Sequence, residues 1–186
     1  KYLHKEPIIV GPGIKTGISV QMENPKAVGA DRIVDCAGAF YVYGGPALIV
    51  DFGTATTFDY VDEKGVFSYG VIALGVESGA NALWSQTAQL PEVEIKSPGT
   101  ILTKTTATNM QAGLFYGFLG QTEYIIRQFK KELGRDDIKV IATGGLGKII
   151  YRHTSLIDVY DRDLTFKGLK VIYDRYKEAQ REHSSR

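Results

Sequence analysis

Residues Asp51-Phe52-Gly53-Thr54-Ala55-Thr56-Thr57-Phe58-Asp59 place an acid, a glycine and three threonines directly after the apolar run Pro46-Ala47-Leu48-Ile49-Val50. A short apolar run of this kind reads as a buried strand, and the residues after it read as a phosphate-binding turn. Gly53 lets the backbone bend or approach a ligand closely. Backbone N–H groups and threonine hydroxyls can then donate to phosphoryl oxygens. Asp51 stands where a cation that neutralises phosphate charge would be needed. Two other segments fit the same chemistry: Gly29-Ala30-Asp31-Arg32 upstream and Ala142-Thr143-Gly144-Gly145-Leu146-Gly147 downstream.

Each segment also has a plainer reading. The Asp51–Thr57 stretch can be a polar turn between two strands. Gly29–Arg32 can be an ordinary helix start, with Asp31 favoured by the helix dipole; its functional reading is a general base, Asp31, beside a cationic substrate clamp, Arg32. Thr143–Gly147 alone is a generic turn, and next to a phosphate loop it becomes a nucleotide contact. Thr103-Lys104-Thr105-Thr106 can be an N-cap, or Thr106 can bond a substrate. Tyr2, Tyr41 and Tyr43 fit packing better than a site. His4, His153 and His183 have no metal spacing, and Arg175–Arg186 reads as a solvated helix end. Asp-Phe-Gly resembles a protein-kinase tripeptide, but no glycine-rich loop, Val-Ala-Ile-Lys strand or His-Arg-Asp loop accompanies it.

The elements that must position these residues alternate between strand and helix. Ile8–Val10 and Gly17–Met22 read as short strands around a Gly11-Pro12-Gly13 turn. Val28–Tyr43 has apolar residues at helical spacing and ends at Gly44-Gly45-Pro46. Leu48–Val50 and Thr56–Val61 are strands, and Glu63-Lys64-Gly65 turns a hairpin back through Val66–Ile72. Ser78–Gln86 is a helix, and Leu90–Lys96 is loop or edge strand. Thr106–Leu133 is a long amphipathic helix that ends at Gly134. Gly113, Gly117 and Gly120 inside it suggest close packing or close ligand approach, since each costs about 1 kcal/mol in a helix. Ile138–Ala142 is a buried strand followed by a helix from Lys148. Leu156–Tyr160 is a last strand and Thr165–Glu182 a terminal helix. The pattern is α/β.

Composition removes several function classes. The chain has 186 residues, 44% hydrophobic and 23% charged, with 22 Lys+Arg against 21 Asp+Glu. That balance points to neither nucleic acid nor an anionic membrane. The lone Cys36 excludes an internal disulfide framework and fits a reducing compartment. No apolar run approaches the roughly 20 residues that span a bilayer, and no signal peptide opens the chain. The expectation is a cytoplasmic protein. The start at Lys1, without Met, reads as the middle of a domain.

Taken together, Gly29–Arg32, Asp51–Thr57, Thr103–Gly117 (with Met110-Gln111-Ala112-Gly113 and Tyr116-Gly117) and Thr143-Gly144-Gly145-Leu146 resemble type III pantothenate kinase, in order and spacing, along nearly the whole chain. Gly11–Gly17 and Gln86–Pro91 add to the likeness. The resemblance implies ATP-dependent phosphorylation of pantothenate to 4'-phosphopantothenate, the first step of coenzyme A biosynthesis. The family fold has two ribonuclease-H-like lobes of the actin, hexokinase and Hsp70 type. This assigns 1–46 to the end of the first, pantothenate-binding lobe and 47–186 to the second lobe with its terminal helix. A cytoplasmic homodimer is implied, with the helix from Thr106 as its interface element. Asp31 would be the catalytic base, and Gly29, Ala30, Asp31, Arg32 and Thr106 would bind pantothenate. Gly53, Thr54, Gly144 and Gly145 would bind ATP. Asp51 would hold a monovalent cation, K⁺ or NH₄⁺, alongside Mg²⁺.

Three departures qualify the resemblance. The family's opening strand with Asp-x-Gly-Asn-Thr is absent, which by the resemblance implies that roughly the first 80 residues are missing, leaving a chain larger than one typical small domain, that the first lobe is incomplete, and that this chain alone lacks turnover. The family's Gly-Gly-x-Ile-x-Pro-Gly turn reads Gly70-Val71-Ile72-Ala73-Leu74-Gly75 here, with Val71 and Leu74 replacing a glycine and a proline. Gly-Lys-Asn-Thr reads Thr103-Lys104-Thr105-Thr106. These departures leave an alternative: a related accessory transcriptional activator that binds ligand without efficient turnover.

Overall fold

The computed structural model describes residues 7–11, 14–86 and 90–184. Tyr2, His4, Pro12-Gly13, Thr87-Ala88-Gln89, Ser185-Arg186 and the side chain of His183 lie outside the described residues.

The elements are β1 (Ser19–Val20), α1 (Ala30–Tyr43), β2 (Ala47–Phe52), β3 (Ala55–Val61), β4 (Val66–Leu74), α2 (Val76–Ser85), α3 (Thr106–Leu133), β5 (Lys139–Thr143), α4 (Gly147–Tyr151), β6 (Val159–Tyr160) and α5 (Leu164–Ser184). They form the expected α/β class. One six-stranded sheet runs β1-β4-β3-β2-β5-β6. β3 is antiparallel to β2 and β4, while β5 is parallel to both β2 and β6.

Side chains on a strand alternate between faces, and β2 shows what that does. Leu48, Val50 and Phe52 enter one core with Phe58, Tyr60, Val140 and Ile126, covered by α2, α3 and α4. Ala47 and Ile49 enter the other with Val61, Phe67 and Ile141, covered by α1 and α5 through Cys36, Ala39 and Leu164. Each fully buried Ile, Leu or Phe contributes about 1.5–3 kcal/mol. α1 and α5 cross backbone to backbone: a Cβ at Gly38 would stand 2.9 Å from the Leu164 carbonyl and 3.0 Å from the Gly168 amide.

Some expectations fail for identifiable reasons. Ile8–Val10 forms no strand; Ile9 is 77% exposed, and β4's neighbour at that edge is β1. The 70–75 stretch is no turn until Gly75. β-branched and aliphatic side chains carry β4 on through Leu74, paired with β3 as far as Ala55. Leu90–Lys96 is irregular, the loop alternative. Of the two readings of Gly113, Gly117 and Gly120, close packing finds no support among the described residues, where nothing lies within 4 Å of a Cβ at any of them. His153 is exposed, with its ring on Phe115 and its Nδ1 2.8 Å from the Ile149 carbonyl.

Candidate active site

α1 begins at Gly29, whose absent side chain leaves the helix with no side-chain cap. Asp31 follows in the first turn. It is exposed, and its Oδ1 accepts from the Arg32 amide at 2.9 Å. Four residues on, one helical turn away, Asp35 is 3% exposed. Arg32 reaches back over the sheet. Its Nε donates to Asp59 Oδ1 at 3.0 Å and Oδ2 at 3.1 Å, and its Nη2 also pairs with Oδ1. Asp59 is 1% exposed.

The sheet register explains why these groups meet. Odd-numbered residues of β2 and β3 face α1, so Asp51 and Asp59 share a face. Asp51 pairs with Thr57, and Ile49 with Asp59. The two acids are therefore diagonal neighbours, roughly 7–8 Å apart at Cα. The charges of Asp31, Asp51 and Asp59 bear on Asp35, and those of Asp31 and Asp59 on Asp51, with Arg32 as the cation paired to Asp59.

That clustering shows in the carboxyls. Burial pushes Asp35 up to about 7; the Thr165 hydroxyl of α5 pulls it back, and the charges of Asp51, Asp31 and Asp59 add to the rise. Asp35 Oδ1 is buried without a partner. Burial also raises Asp51, helped by Asp31 and Asp59. Asp59 is raised by burial and pulled back by Arg32 and Thr57. Burial pushes the Cys36 thiol up as well, which makes it a poor nucleophile.

The loops at the C-terminal ends of β2 and β5 frame Asp51. Gly53 and Thr54 form an exposed turn whose Thr54 carbonyl accepts from Ser78 Oγ of α2 at 2.7 Å. Gly144 has φ 87°. A Cβ there would stand 2.6 Å from both Asp51 Oδ1 and the Phe52 carbonyl, so only glycine fits. Tyr160 donates to the Gly144 carbonyl at 2.9 Å. Gly145 beside it is exposed with open space around it.

The three threonines do not act together. Thr54 is exposed on the turn, Thr56 is buried with its hydroxyl unpartnered, and Thr57 faces Asp59. Strand alternation sends Thr56 and Thr57 to opposite sides of the sheet. Thr106 stands apart too. α3 packs on the face opposite α1, and its 28 residues span roughly 42 Å. Thr106, its first residue, is exposed. Thr105 caps the helix in a reciprocal box with Thr108.

Sequence reasoning misses Asp35 and Asp59 as site residues. The signal that could find them is an acid inside an apolar run, Ile33-Val34-Asp35-Cys36 and Phe58-Asp59-Tyr60. Acids are almost never buried without a partner, so such acids point to a polar site within the core.

The acids Asp31 and Asp51, with glycine turns beside them, suit phosphate chemistry. Among the described residues no group of three or more His, Cys, Asp or Glu has metal-binding geometry. No helix among the described residues is long and apolar enough to cross a membrane.

A sequence profile described as type III pantothenate kinase matches residues 1–128. A type III pantothenate kinase of Bifidobacterium longum (strain DJO10A) is 60% identical over 175 residues, covering 94% of this chain and 68% of that protein. One from Agathobacter rectalis is 57% identical, covering 93% of this chain and 66% of its own length. The chain thus spans about two thirds of the length of these relatives. A crystal structure titled as a Baf family transcriptional activator from Campylobacter jejuni shares the fold, with a TM-score of 0.55 at 21% identity over 82% of this chain and 67% of that one.

Proposed function

The chain belongs to the type III pantothenate kinase family, and on that premise we propose that it phosphorylates pantothenate with ATP, the first step of coenzyme A biosynthesis. Its mixed α/β sheet is the actin-like ATPase fold of that family. The observation that carries the reading is the placement of Asp31. It is exposed at the uncapped start of α1, its charge felt by Asp51, at the end of the sheet where the Gly53-Thr54 and Gly144-Gly145 turns open.

In this reading Gly29, Ala30 and Asp31 receive pantothenate, and Asp31 accepts the proton of its primary alcohol as the oxygen attacks the γ-phosphorus. Gly53, Thr54, Gly144 and Gly145 hold ATP through backbone amides and the Thr54 hydroxyl. Asp51 would hold a monovalent cation, K⁺ or NH₄⁺, which offsets charge on the phosphates. Mg²⁺ would accompany ATP, with no ligand assigned to it here. Thr106 of α3, on the layer opposite α1, would reach pantothenate across a subunit boundary. Gly113, Gly117 and Gly120, open to approach among the described residues, support a homodimer through α3.

The proposed boundary at residue 46 separates lobes in the family sense, although β1 and α1 share the sheet and its α1–α5 layer with residues beyond that boundary. The proposed location is the cytoplasm. The test is formation of 4'-phosphopantothenate from pantothenate and MgATP with and without K⁺. K⁺-dependent product supports the reading. Pantothenate binding without turnover would favour a regulatory relative.

A further inference from the structure

Among the described residues Arg32 is the cation in the acid cluster, and its surroundings are built to hold it. Two nitrogens of its guanidinium engage the 1%-exposed carboxylate of Asp59 in a forked pair, the strong and directional form of this contact. The guanidinium also lies over the Phe67 ring, 5.5 Å from its centroid. Gly70 of β4 provides the space. A Cβ at Gly70 would fall on Arg32 Nη2 and 2.6 Å from Asp59 Oδ1. β3 supplies the anion, β4 supplies a ring and a notch, and the residue so anchored immediately follows Asp31.

We propose that Arg32 is a positioning residue: Asp59, Phe67 and Gly70 form a seat that locks the first turn of α1 to the sheet and thereby aims the Asp31 carboxylate. The inference rests on Asp31 being the base. The fork commits Nε and Nη2 of a side chain only 12% exposed, which fixes the guanidinium on the sheet. The Arg32 amide donates directly to Asp31 Oδ1 at 2.9 Å. A shift of the Arg32 backbone therefore moves the reacting oxygen.

The test compares Gly70→Ala, Asp59→Asn and Arg32→Lys with Asp31→Asn in pantothenate saturation curves at saturating ATP. The seat predicts that kcat falls about 10- to 100-fold in the first three while KM for pantothenate stays within about twofold, since misplacement of about 1 Å costs that much rate without loss of binding. Arg32→Lys keeps the charge but not the fork, so a clamp for an anionic substrate would tolerate it better than Gly70→Ala. A raised KM with kcat preserved overturns the proposal and restores the clamp. Full turnover in Asp31→Asn instead removes the base reading on which the proposal rests. A second measurement needs no turnover: the Arg32 Nε–H resonance and amide exchange at residues 30–33. Gly70→Ala should shift the resonance and speed the exchange, and no change in either overturns the seat. Should Gly70→Ala fail to fold, Asp59→Asn, which keeps the shape of the side chain, carries the same two readouts.

Discussion

α1 opens on Gly29 with no side-chain cap, whereas α3 opens on Thr105 with a complete capping box. The first start carries small residues and an acid, the second hydroxyl residues, and both sets suit a substrate site. At α3 the hydroxyls are turned inward: Thr105 Oγ1 accepts from the Thr108 amide and Thr108 Oγ1 from the Thr105 amide, both at 3.2 Å. At α1 the first-turn amides are left to Asp31 and to whatever binds there, on a helix whose next turn sits in a cluster of acids. A helix start that satisfies itself serves stability, and one left open above a charged core has amides free for a ligand.

The largest effect that would break this contrast is on rate. Asp31→Asn should lower turnover about 10²- to 10⁴-fold while the unfolding transition stays near wild type, because the side chain is exposed. Unimpaired turnover would make the α1 start as structural as the α3 start.

Next comes the cost of opening the cluster. Asp59→Ala leaves Arg32 unpaired in a mostly buried place and should destabilise by about 3–5 kcal/mol in denaturant titration. A loss under about 1 kcal/mol would put the pair among exposed ion pairs of little worth.

Asp35 tests the charge balance by pH. Its folded carboxyl titrates at about 7 against an ordinary 3.8, so the folded state holds the proton more tightly. The stability this contributes is complete below pH ~4 and is lost as pH rises through about 7. Relative to Asp35→Asn, which stays neutral, wild type should lose on the order of 4 kcal/mol between those limits. Parallel stability curves for the two proteins would show that Asp35 is not the strained acid.

The smallest effect is at the other helix. Thr105→Ala should cost about 1 kcal/mol of stability, with little change in the K⁺ dependence or kcat. A large loss of turnover would show that the α3 start takes part in the site after all, most simply from a partner subunit.

How much of this is readable in the residues varies by level. Period, threonines and Gly134 bound Thr106–Leu133 correctly, because a long amphipathic helix with both ends marked carries its own evidence. The hairpin turn at Glu63-Lys64-Gly65 is equally local. The strand expected at Ile8–Val10 fails because a strand exists only if another strand accepts its hydrogen bonds. Gly53, Thr54, Asp51 and the Gly144-Gly145 turn are legible as chemistry plausible at the end of a buried strand, and the parallel register of β2 with β5 sets Asp51 beside Thr143. The threonine loop promises more than it delivers: adjacent threonines look like one group on paper but point to opposite faces.

By itself, then, the sequence determined the class of fold, the positions of most elements and the residue types available for phosphate chemistry, since these come from periodicity, turn chemistry and side-chain inventory. Only the tertiary structure decided which acids meet. Asp35 and Asp59 lie 24 residues apart along the chain, and nothing local says that one crosses over the other. The pairing register of β2 and β3, and the crossing of α1 with α5, bring them together. Low dielectric and mutual charge then change what each carboxyl can do, and those forces act through space and not along the chain.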